Sequence, residues 1–178
     1  MFSKFYYKRK LKAYTAALQV RRHFLNQKEV KHLMVAMECE EITQMRAVEK
    51  ELKPLLSEIP KVSYLIFINT KKDEELSYVS SSQEIILFKD MLVRKHTPNA
   101  DFVREIEGLN VDVFVNLNRE PSMVIDFLTA ISSAKMRVGY KTKVDITELQ
   151  IGVGEKLAYA SFFKKLLQFM AKINTEVA

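Results

Sequence analysis

Apolar residues change their spacing twice between residues 111 and 140, and this change predicts a strand, a helix and a second strand. Residues 111–115 are mostly β-branched or aromatic, which is typical of a buried strand. Pro121 follows a polar turn, and its fixed φ angle suits the first position of a helix. That helix is predicted from five apolar residues at three- and four-residue spacing: Met123, Val124, Phe127, Leu128 and Ile131. Residues 136–138 predict the second strand, and the resulting βαβ unit implies a parallel sheet covered by helices.

Similar apolar runs on either side of this unit extend the predicted sheet to six strands. We expect them near residues 32–37, 62–69, 84–88, 111–116, 136–139 and 147–152. Several runs alternate little between apolar and polar residues, as expected for strands that are buried on both faces. The predicted fold class is therefore α/β: a single three-layer Rossmann-like domain with a mainly parallel sheet.

Helical spacing predicts further helices outside this unit. They are expected at residues 3–28, 41–53, 97–108 and 157–173. In the third of them, Thr97 is the expected capping residue and Pro98 the expected first helical residue. The first is amphipathic, and we divide the chain into this N-terminal helix (residues 1–30) and one globular α/β unit (residues 31–178).

Charge is distributed unevenly between these two parts. Residues 1–32 contain nine lysines and arginines against Glu29 alone, a net charge of +8. The whole chain of 178 residues has a net charge of +6, so that residues 33–178 are slightly acidic at −2. The basic character therefore belongs to the N-terminal helix and not to the fold.

Two interpretations of this basic helix remain open. In the first, it packs by its apolar side on its own domain, or on a second copy in a homodimer, with its cations in solvent. In the second, it contacts an anionic partner, which we expect to be RNA, a ribosomal particle or an acidic protein. The candidate contact residues are Lys4, Lys8, Arg9, Lys10, Lys12, Arg21 and Arg22.

Composition excludes several classes of protein. Apolar residues make up 48% and charged residues 28% of the chain, as in soluble globular proteins. The longest strongly apolar run, residues 62–70, is too short to cross a bilayer, so we expect no transmembrane segment. Cys39 is the single cysteine, which excludes an internal disulfide and is what a reducing compartment permits. We therefore expect a cytoplasmic protein.

Ligands of open parallel sheets bind beyond the carboxyl ends of the strands, where the strand order reverses. This rule selects the turns at residues 38–41, 116–120 and 139–143. The first of these has three glutamates and no glycine, whereas a dinucleotide needs a glycine-rich turn for its pyrophosphate. We therefore predict no nucleotide cradle and no cofactor. If the protein binds a small molecule, the candidate pocket residues are Glu38, Cys39, Asn116, Asn118, Arg137 and Lys141.

No residue of this set is predicted to be catalytic. Cys39 could be a nucleophile at the start of a helix, but packing is the ordinary role of a lone cysteine. Arg137 is expected to be a strand residue that pairs with a neighbouring carboxylate. His23, His32 and His96 share no metal-ligand spacing, and we predict no metal site.

The chain resembles an uncharacterised family of bacterial proteins of about this length with no assigned activity. The resemblance rests on FSKFYYKRKLKAY at residues 2–14, VDVFVNLN at 111–118 and SSAKMRVGY at 132–140, with the strand at 145–152 after it. Residues 111–140 are also similar to the N-terminal Rossmann-like half of heptosyltransferase-type glycosyltransferases. Those enzymes usually have an aspartate at the position of Asn116 and a glycine-containing first turn, so this similarity implies the fold and carries no catalytic residue across.

These observations predict a non-catalytic α/β binding or accessory protein whose basic helix contacts an anionic partner or packs on its own domain. The alternative is a protein that binds a sugar-like or nucleotide-like small molecule, or an enzyme related to half a glycosyltransferase. In the alternative, the site lies at the carboxyl ends of the central strands.

Overall fold

A computed structural model of the chain describes residues 23–70, 83–94, 96–140, 146–152 and 157–173. Its main sheet has six strands: β1 (His32–Cys39), β2 (Lys61–Ile68), β3 (Glu84–Phe88), β6 (Val113–Asn116), β7 (Met136–Tyr140) and β8 (Leu149–Ile151). Two short strands, β4 (Leu92–Arg94) and β5 (Thr97–Pro98), form a separate antiparallel ribbon. The α-helices of the described residues are α1 (Ile42–Leu52), α2 (Ala100–Gly108), α3 (Met123–Ile131) and α4 (Tyr159–Ala171).

The six-stranded sheet is parallel throughout and has the strand order β3-β2-β1-β6-β7-β8. The prediction of an α/β fold with a mainly parallel sheet is therefore confirmed. β6, the strand predicted from residues 111–116, pairs with β1 on one side and with β7 on the other. It lies in the interior of the sheet, where both of its faces are covered.

Helices cover both faces of this sheet, and the strands supply side chains alternately to the two sides. In β1, Leu33, Val35 and Met37 belong to the apolar core on the side of α1 and α4. Met34 and Ala36 belong to the core on the side of α2 and α3. This arrangement explains why the sequence of β1 is apolar at nearly every position: every residue except Glu38 is buried, whichever face it points to.

Two predicted helix starts are wrong. Thr97 and Pro98 form β5, and α2 begins after Asn99, whose side chain accepts a hydrogen bond from Phe102 N at 2.9 Å. Pro121 likewise precedes α3, because the Ser122 hydroxyl caps the helix by accepting a hydrogen bond from Ile125 N. In both cases a short polar side chain next to the proline is the N-cap, because its oxygen accepts a hydrogen bond from a first-turn amide and a proline side chain has no acceptor to offer.

The helix predicted at residues 3–28 lies mostly outside the described residues. Its last part is wrong: residues 23–26 are not helical, and Gln27–Glu29 is one turn of 3₁₀ helix capped by Asn26. Leu25 and Val30 are buried in the core, and Asn26 Nδ2 donates a hydrogen bond to Ile173 O at 2.6 Å. This segment is therefore packed on the C-terminal end of α4. Among the described residues, no helix is long and apolar enough to span a bilayer.

Candidate functional site

The strand order reverses between β1 and β6. From β1 the chain continues to β2 and β3 on one side of the sheet, whereas β6, β7 and β8 extend it on the other side. The helices that follow β1 and β6 cover opposite faces, which leaves an opening between them beyond the strand ends. A crevice of about 520 Å³ lies at this point. We refer to it as the switch-point crevice, and it is lined by residues 37–40, Gln44, Asn69, residues 117–122 and Tyr159.

Carboxylates outnumber cations on the lining of this crevice. Glu38, Glu40 and Glu120 contribute three carboxylates, and Arg119 contributes one guanidinium. Gln44 Oε1 accepts a hydrogen bond from Glu40 N at 3.0 Å and so closes the first turn of α1. The lining favours neutral or positively charged polar molecules, because a phosphate would meet more like charge than opposite charge.

One wall of the crevice is fixed by a directed series of hydrogen bonds, which we call the amide relay. Glu38 N donates to Asn118 Oδ1 at 2.9 Å. Asn118 donates through both its backbone N and its Nδ2 to Asn116 Oδ1, each at 3.1 Å. Asn116 Nδ2 donates to Asp126 Oδ1 at 3.0 Å. The relay therefore links the exposed wall of the crevice to a carboxyl group inside α3.

Asp126 is buried in α3 among apolar neighbours and is 3% exposed. Burial raises the pKa of Asp126 to about 6; the hydrogen bond from Asn116 lowers it, and the nearby charge of Glu38 raises it. A carboxyl group with this pKa changes its charge close to neutral pH, which an ordinary aspartate does not do. Asp126 is thus the ionisable end of the amide relay.

Arg119 and Tyr159 form another part of the lining. The Arg119 guanidinium lies over the Tyr159 ring, 4.3 Å from its centroid, in cation–π geometry. Burial raises the pKa of Tyr140, while a hydrogen bond from Arg119 lowers it. Tyr140 also donates its hydroxyl proton to Leu157 O at 3.2 Å. These contacts connect the end of β7 and the start of α4 to the crevice.

The structure brings three of the predicted pocket residues to the lining: Glu38, Cys39 and Asn118. Asn116 lies directly behind Asn118 in the relay and is 3% exposed. The Cys39 side chain is buried, and burial together with the charge of Glu38 raises the pKa of its thiol to about 12. Cys39 therefore carries a neutral thiol, which packs in the core beside α1 and is a poor nucleophile.

Arg137 is not part of the crevice lining. Its guanidinium pairs with Glu148 at 3.0 Å, and both side chains are buried. It also donates hydrogen bonds to the carbonyl oxygens of Ala130 and Ser132 at the end of α3. This is the paired strand residue that the sequence suggested, and it connects β7 to α3 and to the segment before β8.

Other predicted residues lie elsewhere. Lys141 and the seven candidate contact cations between residues 4 and 22 are outside the described residues. His32 is at the amino end of β1, where Nδ1 contacts Asn110 O at 2.9 Å and Nε2 contacts Ser63 Oγ at 2.7 Å. Within the described ranges, no group of three or more His, Cys, Asp or Glu side chains could hold a metal ion.

Sequence reasoning missed Asp126, Arg119 and Tyr159. Asp126 was hidden because it stands in an otherwise apolar helix, and that position was a signal: a lone carboxylate there must find a polar partner. Arg119 lies in the polar turn after β6 that the switch-point rule selected, but its ring contact is made across 40 residues of sequence. No local pattern brings Tyr159 to the same place.

The comparisons with known proteins give a family and no activity. A model of a family of unknown function, DUF6913, matches residues 2–173. Neither a search of curated proteins nor a search of solved structures found a match to the chain. Because the family model covers almost the whole sequence, the chain belongs to this family of unknown function.

Proposed function

We propose that this protein is a non-catalytic α/β binding protein that takes a small polar molecule without phosphate groups in the switch-point crevice. The observation that carries the proposal is the crevice of about 520 Å³, which opens where the strand order reverses. Its volume lies within the range of small-molecule sites. Amides, carboxylates, one guanidinium and one tyrosine converge on it, so that a polar ligand would find both donors and acceptors.

Three features support binding without phosphate and without catalysis. Residues 38–41, at the carboxyl end of β1, include three glutamates and no glycine, in place of the backbone cradle that a pyrophosphate needs. The Cys39 thiol at the crevice is neutral and buried. The Ser122 hydroxyl is engaged as the N-cap of α3. We add a bacterial cytoplasm to the proposal, which suits the single free thiol.

A thermal-shift panel tests this proposal. It should contain amino acids, polyamines, free sugars, nucleotides and sugar nucleotides, because only a ligand that prefers the native state raises the melting temperature. At about 100 times its dissociation constant, a ligand stabilises by about 2.7 kcal/mol, which corresponds to roughly 5–10 °C for a chain of this size. We expect such a shift from a molecule without phosphate, and its reduction in Asn118→Ala.

The matched control is Asn110→Ala, since Asn110 is exposed near the amino end of the sheet, away from the crevice. A shift that survives in Asn118→Ala and is lost in Asn110→Ala would contradict the proposed site. A large shift with sugar nucleotides would overturn our proposal and favour the alternative, a protein related to half a glycosyltransferase.

A second candidate function concerns the N-terminal segment. The net charge of +8 in residues 1–32, beside −2 in the remainder, favours an anionic partner such as RNA, a ribosomal particle or an acidic protein. The contact would use Lys4, Lys8, Arg9, Lys10, Lys12, Arg21 and Arg22. Binding to phosphates should weaken linearly with salt on a log–log plot, with a slope set by the number of phosphates neutralised. Packing of the segment on its own domain or in a homodimer would respond little to salt.

A further inference from the structure

We propose that the switch-point crevice is proton-sensitive: protonation of Asp126 is transmitted through the amides of Asn116 and Asn118 to the wall formed by Glu38. This inference rests on the proposed binding function, because a proton-sensitive wall regulates nothing unless the crevice takes a ligand. It is carried by the amide relay, whose inner end is a buried carboxyl and whose outer end lines the crevice.

The orientation of both amides in the relay is set by backbone groups. Glu38 N and Asn118 N can only donate, so the atoms that face them must be the oxygens of Asn118 and Asn116. Asn118 therefore presents its Nδ2 to Asn116, and Asn116 presents its Nδ2 to Asp126. Because this orientation is fixed, Asp126 always receives a hydrogen-bond donor, whatever its charge.

The charge of Asp126 decides how strongly the relay is held. A carboxylate accepts a hydrogen bond about twice as strongly as a neutral group does. Protonation therefore loosens Asn116, and with it the side chain of Asn118 on the crevice wall. Since burial raises the pKa of Asp126 to about 6, this change occurs within the range of pH that cells experience.

One charged side chain, that of Glu38, affects the pKa of Asp126 through its charge. α3 packs against β1, β5, β6 and α2. Glu38 of β1 faces Asp126 and raises its pKa, whereas β5 and β6 contain no ionisable side chain. β1 has two further ionisable side chains: His32 lies at its amino end, and Cys39 belongs to the core on the other face of the sheet. The ionisable side chains of α2 are all exposed: Asp101, Arg104, Glu105 and Glu107. Among the described residues, Glu38 is therefore the charged side chain that couples a ligand in the crevice to the ionisation of Asp126.

Linkage gives the sign of the effect. A ligand that needs Asn118 in its present orientation prefers the protein with ionised Asp126, so it should bind best above a pH of about 6 and weaken below it. A cationic ligand next to Glu38 would favour the ionised form of Asp126 further. Its positive charge would offset the negative charge of Glu38, which disfavours ionisation of Asp126. By reciprocity, its binding should release a proton from Asp126.

An NMR titration of the ligand-free full chain, labelled with ¹³C and ¹⁵N, tests the inference. We expect the Asp126 carboxyl carbon to titrate with a midpoint of about 6. The side-chain amide of Asn118 and the backbone amide of Glu38 should move with the same midpoint. In Asp126→Asn that shared midpoint should disappear from both amides, whereas Asp101→Asn, which changes an exposed aspartate of α2, should leave it in place.

Two results would overturn the inference: amide signals of Asn118 and Glu38 that stay constant while Asp126 titrates, or an unchanged titration of these signals in Asp126→Asn. If Asp126→Asn does not fold, Glu38→Gln replaces it. The midpoint of Asp126 should then fall because a like charge is removed, and the midpoint of the Asn118 side-chain amide should fall with it. The titration needs no ligand, so it can succeed while the thermal-shift panel fails. The two proposals are therefore distinguished.

Discussion

At the scale of single residues, Asp126 is a carboxyl group in a place that disfavours its charge. Its folded-state pKa, about 6, lies above the ordinary value of 3.8. The native state therefore has a cost of ionisation that is present in full above pH 6 and is relieved as the pH falls from 6 towards 3.8.

We expect Asp126→Asn to raise the free energy of unfolding at about pH 7.5 by roughly 1–2 kcal/mol, because the cost of ionisation is removed while Oδ1 still accepts from Asn116. The gain should shrink as the pH is lowered towards 4. Urea unfolding at several pH values measures it, with Asp101→Asn as the exposed control. A loss of stability at neutral pH would show that the second carboxylate oxygen is needed in its ionised form.

The contribution of His32 to the stability of the fold has the opposite pH dependence to that of Asp126. Burial lowers the pKa of His32; the hydrogen bond to Asn110 O raises it, the charge of Lys61 lowers it and that of Asp112 raises it. A neutral imidazole that contacts Ser63 and Asn110 stabilises the fold fully above the unfolded-state pKa of about 6.5, and this stability is lost as the pH falls through the folded value.

His32→Gln should therefore remove part of the acid-induced loss of stability below about pH 6.5, and it should cost roughly 1–3 kcal/mol at neutral pH through unpaired Ser63 and Asn110 groups. The matched control is His23→Gln, because His23 is exposed. Unfolding curves at about pH 7.5 and 5.5 give both quantities. An identical pH response in the two variants would contradict the assignment.

At the scale of elements, a buried ion pair joins β7 to the segment before β8. The side chains of Arg137 and Glu148 are 7% and 3% exposed, and Arg137 Nη2 lies 3.0 Å from Glu148 Oε1. Glu148 also accepts a hydrogen bond from Arg137 N. Removal of one partner would leave the other charge buried without compensation. We expect Arg137→Met or Glu148→Gln to destabilise the protein by about 3–5 kcal/mol.

The exposed pair of Arg104 and Asp101 in α2 is the natural comparison. Arg104→Ala should cost roughly 0–1 kcal/mol, because solvent screens the pair. Chemical denaturation of both variants measures the difference. Equal effects would mean that the buried pair is no more important than a surface contact.

The strands of the sheet were predictable from sequence because burial on both faces leaves nearly unbroken apolar runs, as in β1 and β6. The starts of α2 and α3 were not, since proline suits the first position of a helix but Asn99 and Ser122 compete with it as caps. For the site, the turns at the strand ends were predictable from topology. The contacts of Asp126 with Asn116, and of Arg119 with Tyr159, depend on packing between distant segments.

At the scale of the whole molecule, we predict that the N-terminal charge can be removed without loss of the fold. Leu25 and Asn26 are buried, so a truncation that removes residues 1–28 would also damage the core. We expect deletion of residues 1–22 to leave a folded protein whose crevice still binds its ligand, and to abolish co-purification with an anionic partner. Calorimetry measures folding and ligand binding of the truncated protein. Co-purification of the full chain and the truncated protein, compared over a series of salt concentrations, measures the loss of the anionic partner. Loss of the fold, or of a dimer, would instead give this segment a structural role.

The central claim is that the protein binds a small polar molecule at the switch-point crevice. The most direct test is a ¹H–¹⁵N correlation spectrum of the full chain with a molecule that stabilises it in the thermal-shift panel. We expect the signals of residues 38–40 and 117–122 and of Tyr159 to move, because they line the crevice. The signals of Lys31, His32 and Asp112 at the amino edge of the sheet should stay constant. Shifts confined to that edge, or no stabilising molecule in the panel, would contradict the claim.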